Sequence, residues 1–414
     1  MNTDTPSSSV APLDLSKWRQ VPVILMVAGA IGAAIGAAAC GRQQFAFSWL
    51  LAFMFYLSLC LGGWFLVMVH HLFDASWSVP TRRFCEHLAC LAGWPMLALF
   101  VPIAVLAPSL YDWMGKLGHP DHALAAKYPL FTMEGFYIAA AVCFGVWWFF
   151  TNRLRHWSLE QDKTGAAHCT HRMRFYSCLG MMLFAGTLTL AAILWIKGLM
   201  YEWASTMYGV WYFAASVWVT LATVYVITLI LQRTTALRDL VQEKTYYMMG
   251  SLLFAFTVFW AYISFAQYFI IWNANMPEET FWYVLREKGT WWFTGAIIII
   301  IGHFFMPFLA LLRIDVKLKL AAMLPICAWA WLMHLVDLEF QIMPGLHPYG
   351  FFKSAFPFVT RGLLVDLACL LFIGGFLAKL FLWSLNRHPV YPLQDPRMAE
   401  ALDVYVTPAS AVAK

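Results

Sequence analysis

Ten stretches of about twenty mostly apolar residues recur along this 414-residue chain, at about 20–40, 46–69, 85–107, 133–152, 175–200, 209–231, 248–272, 291–312, 320–343 and 362–384. At about 1.5 Å per residue, each covers a hydrocarbon core of about 30 Å. Lipid offers the backbone no hydrogen-bond partner, so each stretch has to be a helix. The composition agrees: 62% of residues are hydrophobic and 12% charged, against about 25% charged in an ordinary soluble domain. The expected fold is an all-α polytopic membrane protein with a single integral domain over 20–384, between tails 1–19 and 385–414. This excludes a nucleic-acid binder, a secreted disulfide scaffold and a disordered chain. The net charge of +5 reads as loop bias.

Lys and Arg are distributed unevenly between alternate loops. The tails and even-numbered loops hold 19 and the odd-numbered loops 8, with Arg153, Arg155, Lys163, Arg172 and Arg174 the densest group. The positive-inside rule then places both termini in the cytoplasm. The run Gly36-Ala37-Ala38-Ala39-Cys40 has some likeness to a lipoprotein cleavage box, but its leader would be long and acidic, so an uncleaved first helix is expected. Gly32 and Gly36 stand in a small-xxx-small spacing that permits close helix approach, either in a loosely packed peripheral span or at a partner contact. The nine cysteines include no CxxC and imply neither a metal site nor a disulfide framework. Thr3–Ser9 and the region from about 388 read as flexible ends.

An ionisable side chain at the bilayer centre costs about 2.5–3.5 kcal/mol on insertion scales, which makes each one a functional candidate. Near the cytoplasmic side lie His70, His71 and Asp74, with Glu86 and His87 opening the next span. His303 falls near the middle of span 8. Toward the outer side lie His334, Asp337 and Glu339 in span 9, Gln267 in span 7, Glu134 at span 4 and Asp366 at the top of span 10. His70 and Asp74 are i,i+4, as are Arg82 and Glu86, so each pair can meet. His334 and Asp337 share a face at i,i+3 and form the best single candidate for accepting a proton, while Glu339 points the other way and needs a different partner. At the inner group, snorkelling and loop solvation are the competing explanation. Lys197 and Lys379 read as snorkelling ends, and the Trp and Tyr wealth as interfacial belt and helix packing.

Several segments, taken together, carry a resemblance. They are Ala261-Tyr262-Ile263-Ser264-Phe265-Ala266-Gln267-Tyr268 through Trp272-Asn273-Ala274-Asn275-Met276-Pro277-Glu278-Glu279-Thr280 to Trp282-Tyr283, and Ala75-Ser76-Trp77-Ser78-Val79 with Arg82-Arg83 and Glu86. Ser158-Leu159-Glu160-Gln161-Asp162, Ser205-Thr206-Met207-Tyr208-Gly209-Val210, Gly302-His303-Phe304 with Pro307-Phe308, and Asp337 seven residues before Pro344 add to them. Over about 45–345 the chain resembles the NrfD/PsrC-like integral subunits of alternative complex III, the bacterial quinol:electron-acceptor oxidoreductase, and among them the ActF-like subunit. The resemblance implies two four-helix bundles, helices 2–5 and 6–9, flanked by helices 1 and 10. It implies residence in the bacterial inner membrane beside a homologous integral subunit, an extrinsic iron–sulfur protein and c-type cytochrome subunits. Two departures stand out. Where the family commonly has Asp-Trp-Leu-Met-Ser-Leu, this chain has Leu194-Trp195-Ile196-Lys197-Gly198-Leu199, which puts a proton route through that carboxylate in doubt; and Glu339 replaces an aromatic or apolar residue.

On this reading the chain is a subunit of a quinol-oxidising respiratory complex and is not catalytic alone. It would hold no covalent or metal-ligated cofactor and would meet menaquinol or ubiquinol as substrate. The proton-path or quinol-site candidates are His303, His334, Asp337, Glu339, His70, Asp74 and Glu86, with His303 linking an outer half-channel to an inner one. The rival readings are the quinol-binding anchor of a molybdopterin-type reductase and a secondary transporter. The transporter would require matched helix breaks in two halves, and Pro95, Pro102, Pro307 and Pro325 form no such pair. Intrinsic b-type haem would need histidines at matched depth on facing helices, which His303 and His334 are not expected to provide.

Overall fold

In the computed structural model, residues 18–234, 236–238, 240–347 and 361–402 are described. No strand occurs among them. Among the described residues, ten helices are long and apolar enough to cross a membrane: α1 (Val21–Cys40), α2 (Arg42–Phe73), α3 (Ser76–Leu110), α4 (Met133–Thr164), α5 (Ala167–Met200), α6 (Tyr208–Arg233), α7 (Glu243–Ala274), α8 (Trp291–Leu312), α9 (Leu320–Gly345) and α10 (Gly362–Arg387). They correspond one for one to the ten apolar stretches. Several run further than the apolar window because their ends continue into polar, capped turns: α4 starts on the Thr132 hydroxyl, which accepts from Gly135 N, and stops at Gly165 in a left-handed conformation.

Two closed rings of four helices form the body. Helix α2 packs on α3 and α5, and α4 completes that ring; α6 packs on α7 and α9, and α8 completes the second. The rings meet where α2 lies against α6. These are the two most enclosed spans, each with 83% of its apolar window buried. Gly62 makes the crossing close: a Cβ there would sit 2.2 Å from the Thr220 hydroxyl and 2.6 Å from the Ser216 carbonyl oxygen. Helices α1 and α10 form a pair of their own that lies against α2. The Gly32–Gly36 spacing serves that pair, joined by Gly29, where a Cβ would stand 2.3 Å from Phe372 N. The small residues thus face α10 of the same chain. An even number of crossings returns the chain to the face it left, here termed the terminal face, opposite the loop face.

Three spans are irregular. Helix α3 is interrupted at Leu91–Gly93, α5 turns π-helical over Ala192–Ile196 and then 3-10 over Lys197–Met200, and α8 is π-helical over Thr294–Phe305. The breaks in α3 and α8 fall in non-equivalent members of the two rings, so these two do not form the matched pair that a transporter of repeated halves would carry. The region from about 388 is not a loose end as far as it is described. Residues 388–402 fold back under the first ring with Val390 and Asp395 buried, and Leu393 N donates to Asp162 (2.9 Å). Thr3–Ser9 and 403–414 lie outside the described residues.

Overpacking a tight contact costs about 1–3 kcal/mol. Gly62→Ala is therefore expected to lower the thermal unfolding midpoint in detergent by several degrees, read by intrinsic fluorescence; an unchanged midpoint would contradict the close α2–α6 crossing.

Candidate functional site

The centre of the second ring holds His303. Its place on α8 follows from the local sequence: Pro307 has no N–H to give the His303 carbonyl, so the helical ladder must re-register there. The resulting π-helical stretch is the kind of irregularity that often marks a functional position. The imidazole is fully buried and lies between two indoles, with ring centroids 4.1 Å from Trp218 of α6 and 3.7 Å from Trp260 of α7, at interplanar angles of 24° and 26°. Neither ring nitrogen has a hydrogen-bond partner among the described residues. Both indoles are oriented from their far edges: Trp218 Nε1 donates to Thr257 Oγ1 (2.8 Å) and Trp260 Nε1 to Asp337 Oδ2 (3.0 Å).

Asp337 is buried, with Trp211 and Gln341 also in hydrogen-bonding reach. Tyr208 OH donates to Gln341 Oε1 (3.0 Å), which extends the polar set toward the loop face. His334 does not join this set as a partner of Asp337. Its Nε2 meets Ser58 Oγ of α2 at 2.9 Å, tying the second ring to the first, and no hydrogen bond or ion pair joins His334 to Asp337 among the described residues. Their i,i+3 spacing puts both on the inward side of α9, but one turns to α2 and the other to α7. Glu339 lies within electrostatic reach of a second acid, Asp366 on α10, which is buried with both carboxylate oxygens unpartnered and has Ser48 of α2 nearby.

The second centre is a buried charge network at the terminal face of the first ring. Arg82, Arg83, Glu86, His70, His71 and His87 are all at most 2% exposed, so snorkelling and loop solvation do not account for them. Arg82 and Glu86 meet as their spacing allows (3.3 Å), Arg83 reaches Glu86 at 3.0 Å and pairs with Asp162, and Ser158 donates to Glu86 (2.7 Å). His70 and Asp74 do not meet. His70 Nδ1 shares a hydrogen with Ser78 Oγ (2.7 Å) and its Nε2 lies 3.5 Å from Asp395, whereas Asp74 terminates α2 in a left-handed conformation and binds Arg174 (2.6 Å) and Arg397 (2.7 Å). That terminal geometry swings the Asp74 carboxylate off the helix face that carries His70. Asp395 also accepts from Arg82. Burial alone would push the Asp395 carboxyl up, but His70, Arg82 and Arg397 outweigh it and hold it well below the usual carboxylate range.

A cavity of about 220 Å³ runs from this network into the seam between the rings. Its polar end is His70, Ser78, Thr81 and Arg82, and its far wall is Leu221, Val224 and Phe256 of α6 and α7. Leu221 and Phe256 lie within one helical turn of Trp218 and Thr257, so the space ends close beneath the His303 site. Elsewhere, Gln267 links Ser205 (2.9 Å) to Tyr283 (3.1 Å) near the loop face, and Glu134 is exposed in the first turn of α4. Lys379 is exposed, as a snorkelling end should be, but Lys197 is buried with its ammonium 5.6 Å from the Phe131 ring.

Sequence reasoning did not single out Trp218, Trp260, Ser58, Asp395 or Arg397. The indoles were hidden among 21 tryptophans, and no local spacing announces a counter-ion more than three hundred residues away. Compared with protein-family models and with curated proteins, the chain matches none.

Removing one member of a buried ion pair costs about 3–5 kcal/mol, because the other charge stays buried. Asp395→Asn is expected to be strongly destabilising, and Arg82→Met added to it to recover part of the loss, both read by thermal unfolding. A carboxyl held low stabilises fully above its ordinary value near 3.9 and loses that contribution as pH falls below it. The acid side of the stability profile should accordingly be flatter in Asp395→Asn than in the native chain.

Proposed function

We propose that this chain is a membrane-integral subunit of a quinol-oxidising respiratory complex of the alternative complex III type, and that its task there is to conduct protons. The observation that carries the reading is His303: a titratable ring at mid-depth with both nitrogens unpartnered, between polar sets that approach it from either face. On the loop-face side the set is Asp337 with Gln341 and Tyr208. On the terminal-face side it is the seam cavity, which opens at His70 and Arg82 beside Glu86. The cavity's wall on the α6 and α7 side is apolar, formed by Leu221, Val224 and Phe256.

Quinol oxidation releases two electrons and two protons. In the proposed complex, iron–sulfur and c-haem subunits on the outer side take the electrons, and a homologous integral subunit accompanies this one. The positive-inside distribution makes the terminal face cytoplasmic in a bacterial inner membrane. This chain offers titratable side chains for protons, and each charge moved is worth about 2.3 kcal/mol per 100 mV. The family's carboxylate route at the end of α5 has no counterpart here, because Lys197 occupies that region and is buried over Phe131. The second ring is left as the conducting half.

The test is the assembled complex in liposomes. His303→Leu is expected to lower the rate of proton movement coupled to quinol oxidation by about a hundredfold, the low end of what a positioned proton-transfer group contributes, with subunit composition intact. Asp337→Asn should do the same or reduce turnover, and Lys379→Ala should change neither. Normal coupling in His303→Leu would refute the conducting role. Co-purification of the native chain with molybdenum and without c-type haem would refute the assignment of the complex.

A further inference from the structure

The His303 site has a feature that hydrogen bonding does not explain. A buried imidazole ordinarily finds a partner for its N–H, yet both nitrogens here have none and both ring faces are covered by indoles at 4.1 and 3.7 Å. An indole face is the best aromatic partner for a cation, within about 6 Å of its centroid, and the interaction strengthens when water is excluded. The same Trp260 ring turns its positive edge, the Nε1–H, to Asp337 at 3.0 Å.

We infer that Trp218 and Trp260 are positioning residues that form a two-faced aromatic cage for the charged form of His303, with the Trp260 N–H holding Asp337 as its counter-charge one ring away. One proton is taken up at an unpartnered ring nitrogen, forming an N–H bond. The resulting charge is spread between the two indole faces and is not neutralised by a direct ion pair. A direct His–Asp pair would bind the proton too firmly to pass it on; a cage holds it without supplying a base to keep it. The other titratable groups facing the site are His334 and Asp337, both on α9; α6 and α7 contribute at this level the two indoles and the Thr257 hydroxyl. The tie of His334 to Ser58 (2.9 Å) holds it on the α2 side. The inference deepens the proton-conducting reading and rests on it for its purpose, but the state of the ring is measurable without quinol or partner subunits.

The full chain, ¹⁵N-labelled at histidine and placed in lipid nanodiscs, is titrated from about pH 9 to pH 4 by solid-state NMR, with the His303 signal assigned by its loss in His303→Leu. The expected result is an imidazolium signal whose midpoint moves down by about one pH unit in Trp260→Leu and in Trp218→Leu, one unit being about 1.4 kcal/mol. Trp260→Phe keeps an aromatic face but removes the N–H. It should leave most of that midpoint in place while shifting the Asp337 carboxyl band in infrared difference spectra. Trp218→Phe, the mildest change, serves where a leucine variant does not fold, and should restore the midpoint. A midpoint unchanged in both leucine variants, or no imidazolium at any pH in the range, would overturn the cage. If the titration behaves as expected but His303→Leu conducts normally in the complex, the cage stands and the conducting role falls.

Discussion

Hydrocarbon cannot satisfy a polar atom, so every charge and hydrogen-bonding side chain at depth has to be provided for by the protein itself. The architecture follows from that constraint. Two rings of four helices each enclose an interior, and most of the buried polar residues are gathered into those interiors and the seam between them, with Glu339 and Asp366 beside α10 the exception. The α2–α6 contact closes that seam, and Gly62 lets the two backbones come near enough for Thr220 to reach the Ser58 and Leu59 carbonyls (3.5 and 3.3 Å). A larger residue would wedge the rings apart where the cavity and the His303 site approach each other.

The two interiors are provisioned differently. The first holds fixed charge: two buried guanidiniums with Glu86, Asp162 and Asp395 around them. Such a network is rigid, because moving any member strands its partner. The second holds groups that can gain or lose a proton with few strong bonds to break, namely His303, Asp337 and, on the α2 side, His334. A rigid charged network thus occupies one ring and a soft titratable centre the other. The π-helical register of α8, set by Pro307, places the imidazole between its two indoles.

Much of this was legible in the residues. Ten apolar stretches, the depth ranking of His70, His303 and Asp337, and the Arg82–Glu86 contact all come from periodicity and spacing, which are local properties. The failures share one cause. His70–Asp74 and His334–Asp337 were paired by spacing along one helix, but the backbone at Asp74 turns left-handed and α9 sits between two neighbours that claim its side chains separately. Asp395 looked like part of a loose polar end because nothing near it in sequence reveals the guanidinium it neutralises. The aromatic cage needs three helices to be assembled before it exists, so Trp218 and Trp260 were indistinguishable from belt and packing tryptophans.

The return of residues 388–402 to the first ring has a consequence for how the chain is made. Arg82 and Arg83 lie in the third span, whereas Asp395 follows Arg82 by 313 positions. During synthesis the third span therefore emerges with only Glu86 on its own helix; Asp162 follows with the fourth span, and Asp395 comes last. The ring can be sealed only after the ribosome has passed residue 397, the position whose guanidinium joins Asp395 to Asp74. A chain stalled earlier would leave the Arg82 guanidinium without the acceptor that Asp395 supplies, an unfinished charged site on helices already inserted.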